Sequence, residues 1–398
     1  MKQPKNFHAI LMVTGTSIGT GILALPIPTS TAGFLPTILA FIIAWAFMTI
    51  AAFYILDVKM HYKGHYNLSS LIKLTLGQFG HYLSSSMILV LLYALLCTYM
   101  MACAAWFHLI LGSQIPLSQT WLTILFVMLI GLIILLKERV IYSLNHVLAI
   151  CLGLALAITV GFSLWPIDAN LIQHSNFPLI FPSLPILLTT FGFSIVVPTI
   201  TEYLDYDARA VKSSILIGSL LAFVAYAIWE WVILGHIPLS GTHGLTILNQ
   251  LGDNGTGVIN AFAHVTQHHW IVLSGRLFAI FASLTSFLGV ALALVHCLHD
   301  LTPIKTQRFR QTYLTILALL PPLIITLLYP KAFVSILSFA GLEVALLLGL
   351  FPTLMIAKMR YKNLQQFLSQ PTNLGLIITG MFFILVMIQE GYNIFNLA

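Results

Sequence analysis

The chain has 398 residues, of which 59% are hydrophobic and only 7% are charged, and its formal net charge is +6. Soluble globular domains carry about 25% charged residues, so this composition excludes a soluble domain and indicates an integral membrane protein. The basic residues lie in short segments between long apolar stretches. A nucleic-acid-binding patch is therefore not predicted.

A helix that crosses a bilayer needs about 20 predominantly apolar residues. The sequence predicts eleven such helices, numbered here as spans one to eleven. In chain order they cover about 7–28, 34–57, 81–111, 120–136, 141–165, 184–204, 213–235, 270–298, 312–329, 332–357 and 373–390. A cleavable signal peptide over residues 1–32 is not favoured, because a convincing small-x-small cleavage site is missing.

The basic residues alternate from loop to loop. All Lys and Arg residues except Arg276 and Lys331 fall in the amino-terminal segment and in every second loop after it. Cytoplasmic loops are enriched in these residues. The sequence therefore predicts a cytoplasmic amino terminus and, with an odd number of spans, a carboxyl terminus on the opposite side.

Span one contains a run of small residues that is unusual for a simple membrane anchor. The run is Gly15, Thr16, Ser17, Ile18, Gly19, Thr20 and Gly21, and Pro26 follows it. Span six has a similar pattern in Phe191, Gly192, Phe193 and Ser194, followed by Pro198. Glycine and proline are tolerated at membrane depth where the backbone unwinds beside a cavity or another helix. Both spans are therefore predicted to be broken helices.

The positions of the two breaks predict an internal repeat. Five helices separate the start of span one from the start of span six, and the two spans enter the membrane from opposite sides. Paired interrupted helices of this kind indicate a transporter built from inverted repeats. The predicted units are 1–166 (spans one to five), 167–358 (spans six to ten) and 359–398 (an extra helix and the carboxyl terminus), which together form one transport domain.

A broken helix provides partial charges at mid-membrane. The freed N–H groups around Ser17 to Gly21 favour a carboxylate, and freed carbonyl groups favour an ammonium group. A zwitterionic amino acid matches both. The hydroxyl groups of Thr16, Ser17 and Thr20 can add contacts, while Tyr93, Tyr99, Phe191 and Phe193 are candidate walls for an aromatic ring. Neither a cofactor nor a metal cluster is predicted.

Acidic residues within the spans are candidates for proton coupling. Glu343 is predicted near mid-membrane, where an ionised carboxylate is costly and by default functional. Glu202 is predicted near the cytoplasmic end of span six. Glu230 lies between Trp229 and Trp231 at the outer end of span seven, in a pattern that resembles an interfacial aromatic belt.

At these motifs the chain resembles the hydroxy and aromatic amino acid permeases, within the amino acid–polyamine–organocation superfamily, over nearly its full length. The matching stretches are 15–26, 191–193 with Val197-Pro198, 285–292, Leu320-Pro-Pro322 and Tyr329-Pro330. The resemblance implies an all-α, eleven-helix, leucine-transporter-like fold with helices 1 and 6 broken. It also implies proton-driven import of an amino acid across a bacterial inner membrane.

This sequence departs from the family in one respect that concerns coupling. Proton-coupled relatives commonly have a lysine in helix five, but no Lys or Arg occurs here between Arg139 and Arg209. Glu343 is then the best-placed group to titrate during transport. An aromatic, tyrosine-like substrate is predicted, and small neutral amino acids such as serine or threonine remain the alternative.

Sodium coupling also stays open. Carbonyl groups of span one and the hydroxyl groups of Ser283, Thr285 and Ser286 could bind a sodium ion. A channel or a membrane-bound sensor is disfavoured, since neither a pore-loop signature nor an attached soluble domain is visible. Intramembrane enzymes are disfavoured too, because the sequence has no Gly-x-Ser-x-Gly or His-Glu-x-x-His motif and no paired aspartates.

Overall fold

The computed structural model describes residues 5–111, 117–136, 138–163, 167–242, 244–251, 253, 255–266, 269–301, 307–360 and 373–397. All regular elements in these ranges are helices. Residues 164–166, which end the predicted span 141–165 and the first predicted repeat, lie outside the described residues, as do residues 361–372 and 398 of the predicted unit 359–398.

The helices follow one another with short connections. In chain order the α-helices are α1 Lys5–Ser17, α2 Gly21–Ala24, α3 Pro26–Thr29, α4 Phe34–His61, α5 Leu68–Leu76, α6 Gln78–Leu111, α7 Gln119–Ile134, α8 Glu138–Ser163, α9 Ala169–Gln173, α10 Leu184–Thr190, α11 Val197–Tyr203, α12 Ala208–His236, α13 Leu245–Leu251, α14 Thr256–Thr266, α15 His269–Leu301, α16 Gln307–Leu328, α17 Phe333–Val344, α18 Phe351–Arg360 and α19 Leu374–Leu397. Two 3₁₀ segments, Phe177–Ser183 and Gly192–Val196, flank α10, and a π-helical segment, Ala345–Leu350, joins α17 to α18.

Within the described residues, nine helices are long and apolar enough to cross a membrane. The pair Lys5–Ser17 and Gly21–Thr29, bent by 43°, makes ten if it is counted as one span. The apolar helix α7 has 16 residues and is shorter than the usual spanning length. The count of eleven spans therefore stays a prediction.

Small residues let the helices that carry the site approach closely. A Cβ atom built on Gly341 of α17 would lie 1.9 Å from the backbone oxygen of Pro185 in α10, so only glycine fits at this crossing. Gly218 of α12 is similarly close to Val13 of α1, and the Thr14 hydroxyl donates to the Gly218 carbonyl at 3.0 Å. Such small-residue contacts are a common basis of helix packing in membranes. They hold α1 against α12, and α10 against α17.

The last helix is attached to the bundle through α17 and the π-helical segment. A Cβ atom on Gly349 would lie 2.3 Å from the ring of Phe383 in α19. At the far end of α19, Glu390 accepts a hydrogen bond from the Ser338 hydroxyl at 2.6 Å. The extra helix thus packs beside the segment that follows Glu343.

Candidate functional site

The first span is interrupted at Ile18, Gly19 and Thr20, between α1 and α2. The N–H of Ile18 still donates to the Thr14 carbonyl at 2.9 Å, but beyond the break the N–H of Ile22 donates to Gly19, only three residues back. Regular i to i−4 bonding therefore stops here. Backbone groups on both sides of the break need partners from elsewhere, as they do at any helix end.

Two side chains from distant helices supply such partners. The Tyr226 hydroxyl of α12 donates to the Ser17 carbonyl at 2.8 Å. The N–H of Thr20 donates to Ser286 Oγ of α15 at 3.1 Å, and the Thr20 hydroxyl lies 3.4 Å from the Ala282 carbonyl. The break is thus held by α12 on one side and by α15 on the other.

Gly19 is required by the close approach of α15. A Cβ atom at this position would lie 2.8 Å from Ser286 Oγ and 3.9 Å from the Tyr99 hydroxyl. The first distance is too short for a side-chain contact, so any larger residue would push Ser286 away from Thr20. At Gly21 the nearest atom, Thr190 Cγ2, is at an ordinary 3.8 Å.

The other hydroxyl groups of the run bond to their own helix. Thr16 Oγ1 donates to the Met12 carbonyl at 2.7 Å and Ser17 Oγ donates to the Val13 carbonyl at 3.1 Å. Their oxygen lone pairs remain able to accept from a ligand. Gly15 and Thr16 are exposed, whereas Ser17 is buried, so the run presents an accessible face on the side from which α1 enters.

Span six has its interruption beside the first one. The helix α10 ends before Phe191, the 3₁₀ segment Gly192–Val196 follows, and α11 begins at Val197. Pro198 occupies the first turn of α11, where its missing N–H costs little. The 3₁₀ segment packs against α1. The structure therefore brings the two glycine-containing breaks together.

The two phenylalanines of span six are completely buried. The Phe191 ring packs edge-on against Phe41 at 6.2 Å and against Tyr226 at 5.8 Å, between ring centroids. It therefore packs behind the break, towards α4 and α12. Ser194 is also fully buried, and its hydroxyl has no hydrogen-bond partner in the described part of the chain.

The two tyrosines of α6 have different surroundings. The Tyr93 hydroxyl donates to the Leu317 carbonyl of α16 at 2.9 Å, which directs it away from the break. The Tyr99 hydroxyl lies near Gly19, as its distance from the Cβ position there shows. Tyr99 is therefore the tyrosine of α6 whose hydroxyl lies beside the interrupted helix.

The three candidate sodium ligands differ in their hydrogen-bond partners. Ser283 Oγ donates to the Ala279 carbonyl at 2.8 Å, and Thr285 Oγ1 donates to the Phe281 carbonyl at 2.8 Å, both within α15. Ser286 is the member of the set that bonds to span one. Its hydroxyl and the nearby Ala282 carbonyl are the α15 oxygen atoms placed against Thr20.

Glu343 is the penultimate residue of α17, two residues before Ala345, where the π-helical segment begins. Its side chain is 6% exposed, and Oε2 has no hydrogen-bond partner among the described residues. Leu348 of the π-helical segment lies 3.9 Å from the Cβ position of Gly192. A π-helical turn often marks a functional site, and this one connects Glu343 to the break in span six.

Glu202 is in a different environment, at the end of α11. Its carboxylate accepts hydrogen bonds from Lys59 Nζ at 2.5 Å and from His65 Nδ1 at 2.7 Å. The Lys59 side chain is completely buried, whereas that of Glu202 is 26% exposed. The ammonium group also donates to the carbonyls of Gly64 and Tyr66. Glu202 thus ties span six to the end of α4 and the loop after it.

Glu230 is buried inside the helix bundle, so the tryptophan-flanked pattern that predicts an interfacial belt does not describe its immediate surroundings. Both Trp229 and Glu230 are fully inaccessible, and only Trp231 is exposed. Successive residues of a helix point about 100° apart, so neighbours in sequence need not share a face. Glu230 Oε1 is 3.1 Å from the hydroxyl of Thr29 in α3, and Oε2 has no partner within the described ranges.

Sequence reasoning did not identify Tyr226, Lys59 or Thr29. Tyr226 and Thr29 resemble many other polar residues in apolar spans, and no local signal distinguishes them. Lys59 follows a long apolar stretch, and this position in the sequence predicts a loop cation. Its closeness to the end of span two, which lets the helix continue through Lys59, is the one sequence feature that points to a buried position.

Comparisons with known proteins show which transport proteins this chain is similar to. A model of the tryptophan/tyrosine permease family matches residues 2–390. The tyrosine-specific transport system 1 of Haemophilus influenzae is 28% identical, and the alignment covers 89% of this chain and 88% of that protein. The tryptophan-specific transport protein of the same organism is 26% identical over 91% of this chain and 89% of its own length.

The fold is also found among solved membrane transporters. A manganese transporter of Eremococcus coleocola, crystallised with an aromatic bis-isothiourea substituted compound, superposes with a TM-score of 0.62. The match covers 97% of this chain and 85% of that one, at 11% sequence identity. At this identity the likeness concerns the fold alone.

Proposed function

This chain belongs to the tryptophan/tyrosine permease family, and on that premise we propose that it imports an aromatic amino acid by proton symport with alternating access. The observation that carries the proposal is the meeting of the two interrupted spans, with Thr20 bonded to Ser286. Families of this kind are transport proteins, so no chemical reaction is assigned to the site.

We place the amino acid between the breaks. Its ammonium group would bind carbonyl oxygens at the end of α1, together with the lone pairs of Thr16 and Ser17. Its carboxylate would bind N–H groups at the start of the segment beginning with Gly21, where the helix dipole is positive. Because the N–H of Thr20 already donates to Ser286, the carboxylate either uses neighbouring N–H groups or displaces the serine.

The aromatic ring would extend towards Tyr99. That residue is near Gly19, whereas Phe191 is packed behind the break and would support the wall from the rear. Apolar pockets with few polar groups suit an aromatic ligand. The relatives named for tyrosine and tryptophan transport support the same substrate class, and a small neutral amino acid remains the alternative.

Glu343 is the proposed proton carrier. Its buried, unpartnered carboxylate oxygen makes the ionised form costly in this position. Binding a proton at Oε2 removes the charge, and release on the other side restores it as the helices rock. A proton moving through about 100 mV supplies about 2.3 kcal/mol, which is enough for roughly 40-fold accumulation of a neutral substrate.

The proposed orientation follows from the basic loops, with the amino terminus in the cytoplasm of a bacterium and the protein in its inner membrane. The proposed architecture is the leucine-transporter-like arrangement of two inverted five-helix units, 1–166 and 167–358, plus the helix in 359–398. Sodium coupling is the second candidate, and the proximity of Ser286 Oγ and the Ala282 carbonyl to the break favours it.

Uptake by proteoliposomes tests the proposal. Purified protein would be reconstituted and given a proton gradient, a sodium gradient or neither, with labelled tyrosine, tryptophan, phenylalanine, serine, threonine and glutamine. We expect accumulation of tyrosine or tryptophan only with the proton gradient. Accumulation driven by the sodium gradient alone would show that sodium, and not the proton, is the coupling ion. Transport of serine without transport of tyrosine or tryptophan would show that the substrate is a small neutral amino acid.

A further inference from the structure

A cavity of about 180 Å³ lies between α8 and α15, apart from the meeting point of the two breaks. Its lining is mostly apolar with two polar side chains. The residues are Ile141 and Asn145 from α8, and Leu288, Gly289, Leu292, Ala293 and His296 from α15. The cavity is partly open to the surroundings, so a ligand could enter it without local unfolding.

The cavity continues the face of α15 that holds the first break. Gly289 is three residues after Ser286, and Ala293 and His296 follow at four and three residues. This spacing places all four residues on one stripe of the helix. Gly289 is about 4.5 Å along the helix axis from Ser286, at 1.5 Å per residue. The cavity therefore begins about one helical turn from the Thr20–Ser286 contact, towards the end of α15 that the predicted topology places on the same side of the membrane as the amino terminus.

Two features of the wall suggest a ligand rather than a packing defect. The Oδ1 atom of Asn145 is buried, and no hydrogen-bond partner for it exists in the described part of the chain. A buried amide oxygen is costly unless it accepts a hydrogen bond. Gly289 leaves the opposite wall open, since a Cβ there meets no described atom within 4 Å. Both polarity and space are therefore available for a donor-bearing ligand.

We propose that this cavity is a second binding subsite for the transported amino acid, next to the central site and on the amino-terminal side of the membrane. The Asn145 amide oxygen accepts a hydrogen bond from the ammonium group, and Ile141, Leu288 and Leu292 contact the ring. The subsite rests on the proposed function, because its ligand is the transported substrate. Its role is to bind the amino acid after it leaves the central site between the two breaks.

A cysteine-protection experiment tests the subsite directly. In a background with the four native cysteines replaced by alanine, Gly289→Cys is labelled with N-ethylmaleimide in the presence and absence of saturating tyrosine. We expect tyrosine to slow labelling at least fivefold. The matched control is Gly153→Cys on the neighbouring helix, an exposed glycine whose Cβ also meets no described atom within 4 Å. Its labelling rate should not change.

A second variant separates direct binding from a change of conformation. Adding Asn145→Leu to the Gly289→Cys protein should abolish protection if tyrosine occupies the cavity. Protection that survives Asn145→Leu would mean that helix movement, and not ligand, covers Gly289, and would overturn the subsite. Size-exclusion elution and melting temperature verify that each variant is folded.

Transport measured from both sides completes the test. In oriented vesicles, the half-saturating tyrosine concentration is measured separately on each side of the membrane. Gly289→Leu should raise it at least fivefold more on the side that holds the amino terminus than on the opposite side. Gly153→Leu should change neither value. Equal effects on the two sides, with no cysteine protection, would remove the subsite while leaving the transporter assignment standing. Failure of the unmodified protein to bind or transport any aromatic amino acid would instead remove the proposed function.

Discussion

The completely buried ammonium group of Lys59 lies 2.5 Å from the carboxylate of Glu202. The contact joins the last turn of α4 to the end of α11, and His65 occupies the second carboxylate oxygen. A carboxylate held by two donors is well placed to fasten the end of span six. We therefore expect Glu202 to stabilise the packing of α11 against α4, and we do not expect it to be the proton carrier.

Removing one member of this pair should destabilise the protein strongly. Glu202→Leu leaves the buried Lys59 charge without its carboxylate partner, and breaking a buried ion pair typically costs about 3–5 kcal/mol. The lower end is expected here, since Glu202 is partly exposed. Lys59→Met leaves the partly exposed carboxylate of Glu202 and should cost less. Each single variant should lower the melting temperature in detergent, and the double variant should lose less than the sum of the two.

The matched control for that cycle is Lys5→Met. Lys5 and Asp205 are also 2.5 Å apart, but both side chains are largely exposed, so water replaces the lost partner. No measurable change in melting temperature is expected. An equal loss from Lys5→Met and Lys59→Met would show that burial does not set the strength of these contacts.

Gly19 and Gly192 should respond differently to the smallest possible substitution. The methyl group of Gly19→Ala would lie 2.8 Å from Ser286 Oγ and disrupt the bond to Thr20, whereas that of Gly192→Ala meets only Leu348 at 3.9 Å. We expect uptake to fall at least tenfold for Gly19→Ala and less than threefold for Gly192→Ala. Gly192→Leu, which needs far more room, should abolish transport.

The measurement is initial uptake rate normalised to the amount of folded protein in the membrane. Normal kinetics for a well-folded Gly19→Ala protein would contradict the close packing of the first break against α15.

The two tyrosines of α6 provide a test of which one contacts substrate. Tyr99→Phe removes a hydroxyl beside the first break, and we expect at least a fivefold increase in the KM for tyrosine or tryptophan. Tyr93→Phe removes a hydroxyl that bonds to Leu317 of α16, so it should lower the melting temperature and leave KM nearly unchanged. If Tyr93→Phe raised KM and Tyr99→Phe did not, the aromatic ring of the substrate would have to bind on the side of α6 that faces α16.

Glu343→Gln should separate transport from its driving force. The amide mimics the protonated carboxyl group but cannot release a proton. We therefore expect loss of accumulation driven by a proton gradient, loss of the pH dependence of uptake, and retention of exchange between internal and external substrate. Accumulation with an unchanged pH profile would make Glu343 structural and direct attention to Glu230 or to a sodium site.

Glu390→Gln is the matched control for that experiment. Glu390 is also buried, but its carboxylate accepts hydrogen bonds from Ser338 and Asn393 at the end of α19. The glutamine oxygen can still accept the hydrogen bonds from Ser338 and Asn393, so stability should change little and the dependence on the proton gradient should stay intact.

The helical segments and their interruptions were predictable because their signals are local. Predicted span one, 7–28, corresponds to the series from Lys5 to Thr29, and span ten, 332–357, corresponds to Phe333–Arg360. Long apolar runs define the segments, and glycine and proline weaken the backbone where a helix breaks. The family resemblance rested on the same local runs.

The partners of the broken backbone could not be predicted, since they depend on how the helices pack. Ser17 binds Tyr226 across 209 residues, and Thr20 binds Ser286 across 266 residues. Hydropathy indicates that a residue is in the membrane but not which neighbour it faces. The same limit explains why Glu230 was expected at an interface although it lies inside.

The sequence by itself determined that this chain is a helical membrane protein with two weakened spans, because apolar length and backbone flexibility are properties of short segments. The tertiary structure alone decided that Tyr99 and Ser286 stand at the first break, that Phe191 packs behind it, and that Lys59 is buried against Glu202. The physical reason is that such contacts arise when helices distant in sequence pack together. Helices of similar composition can pack in many ways, and small residues such as Gly341 select among them by permitting close approach.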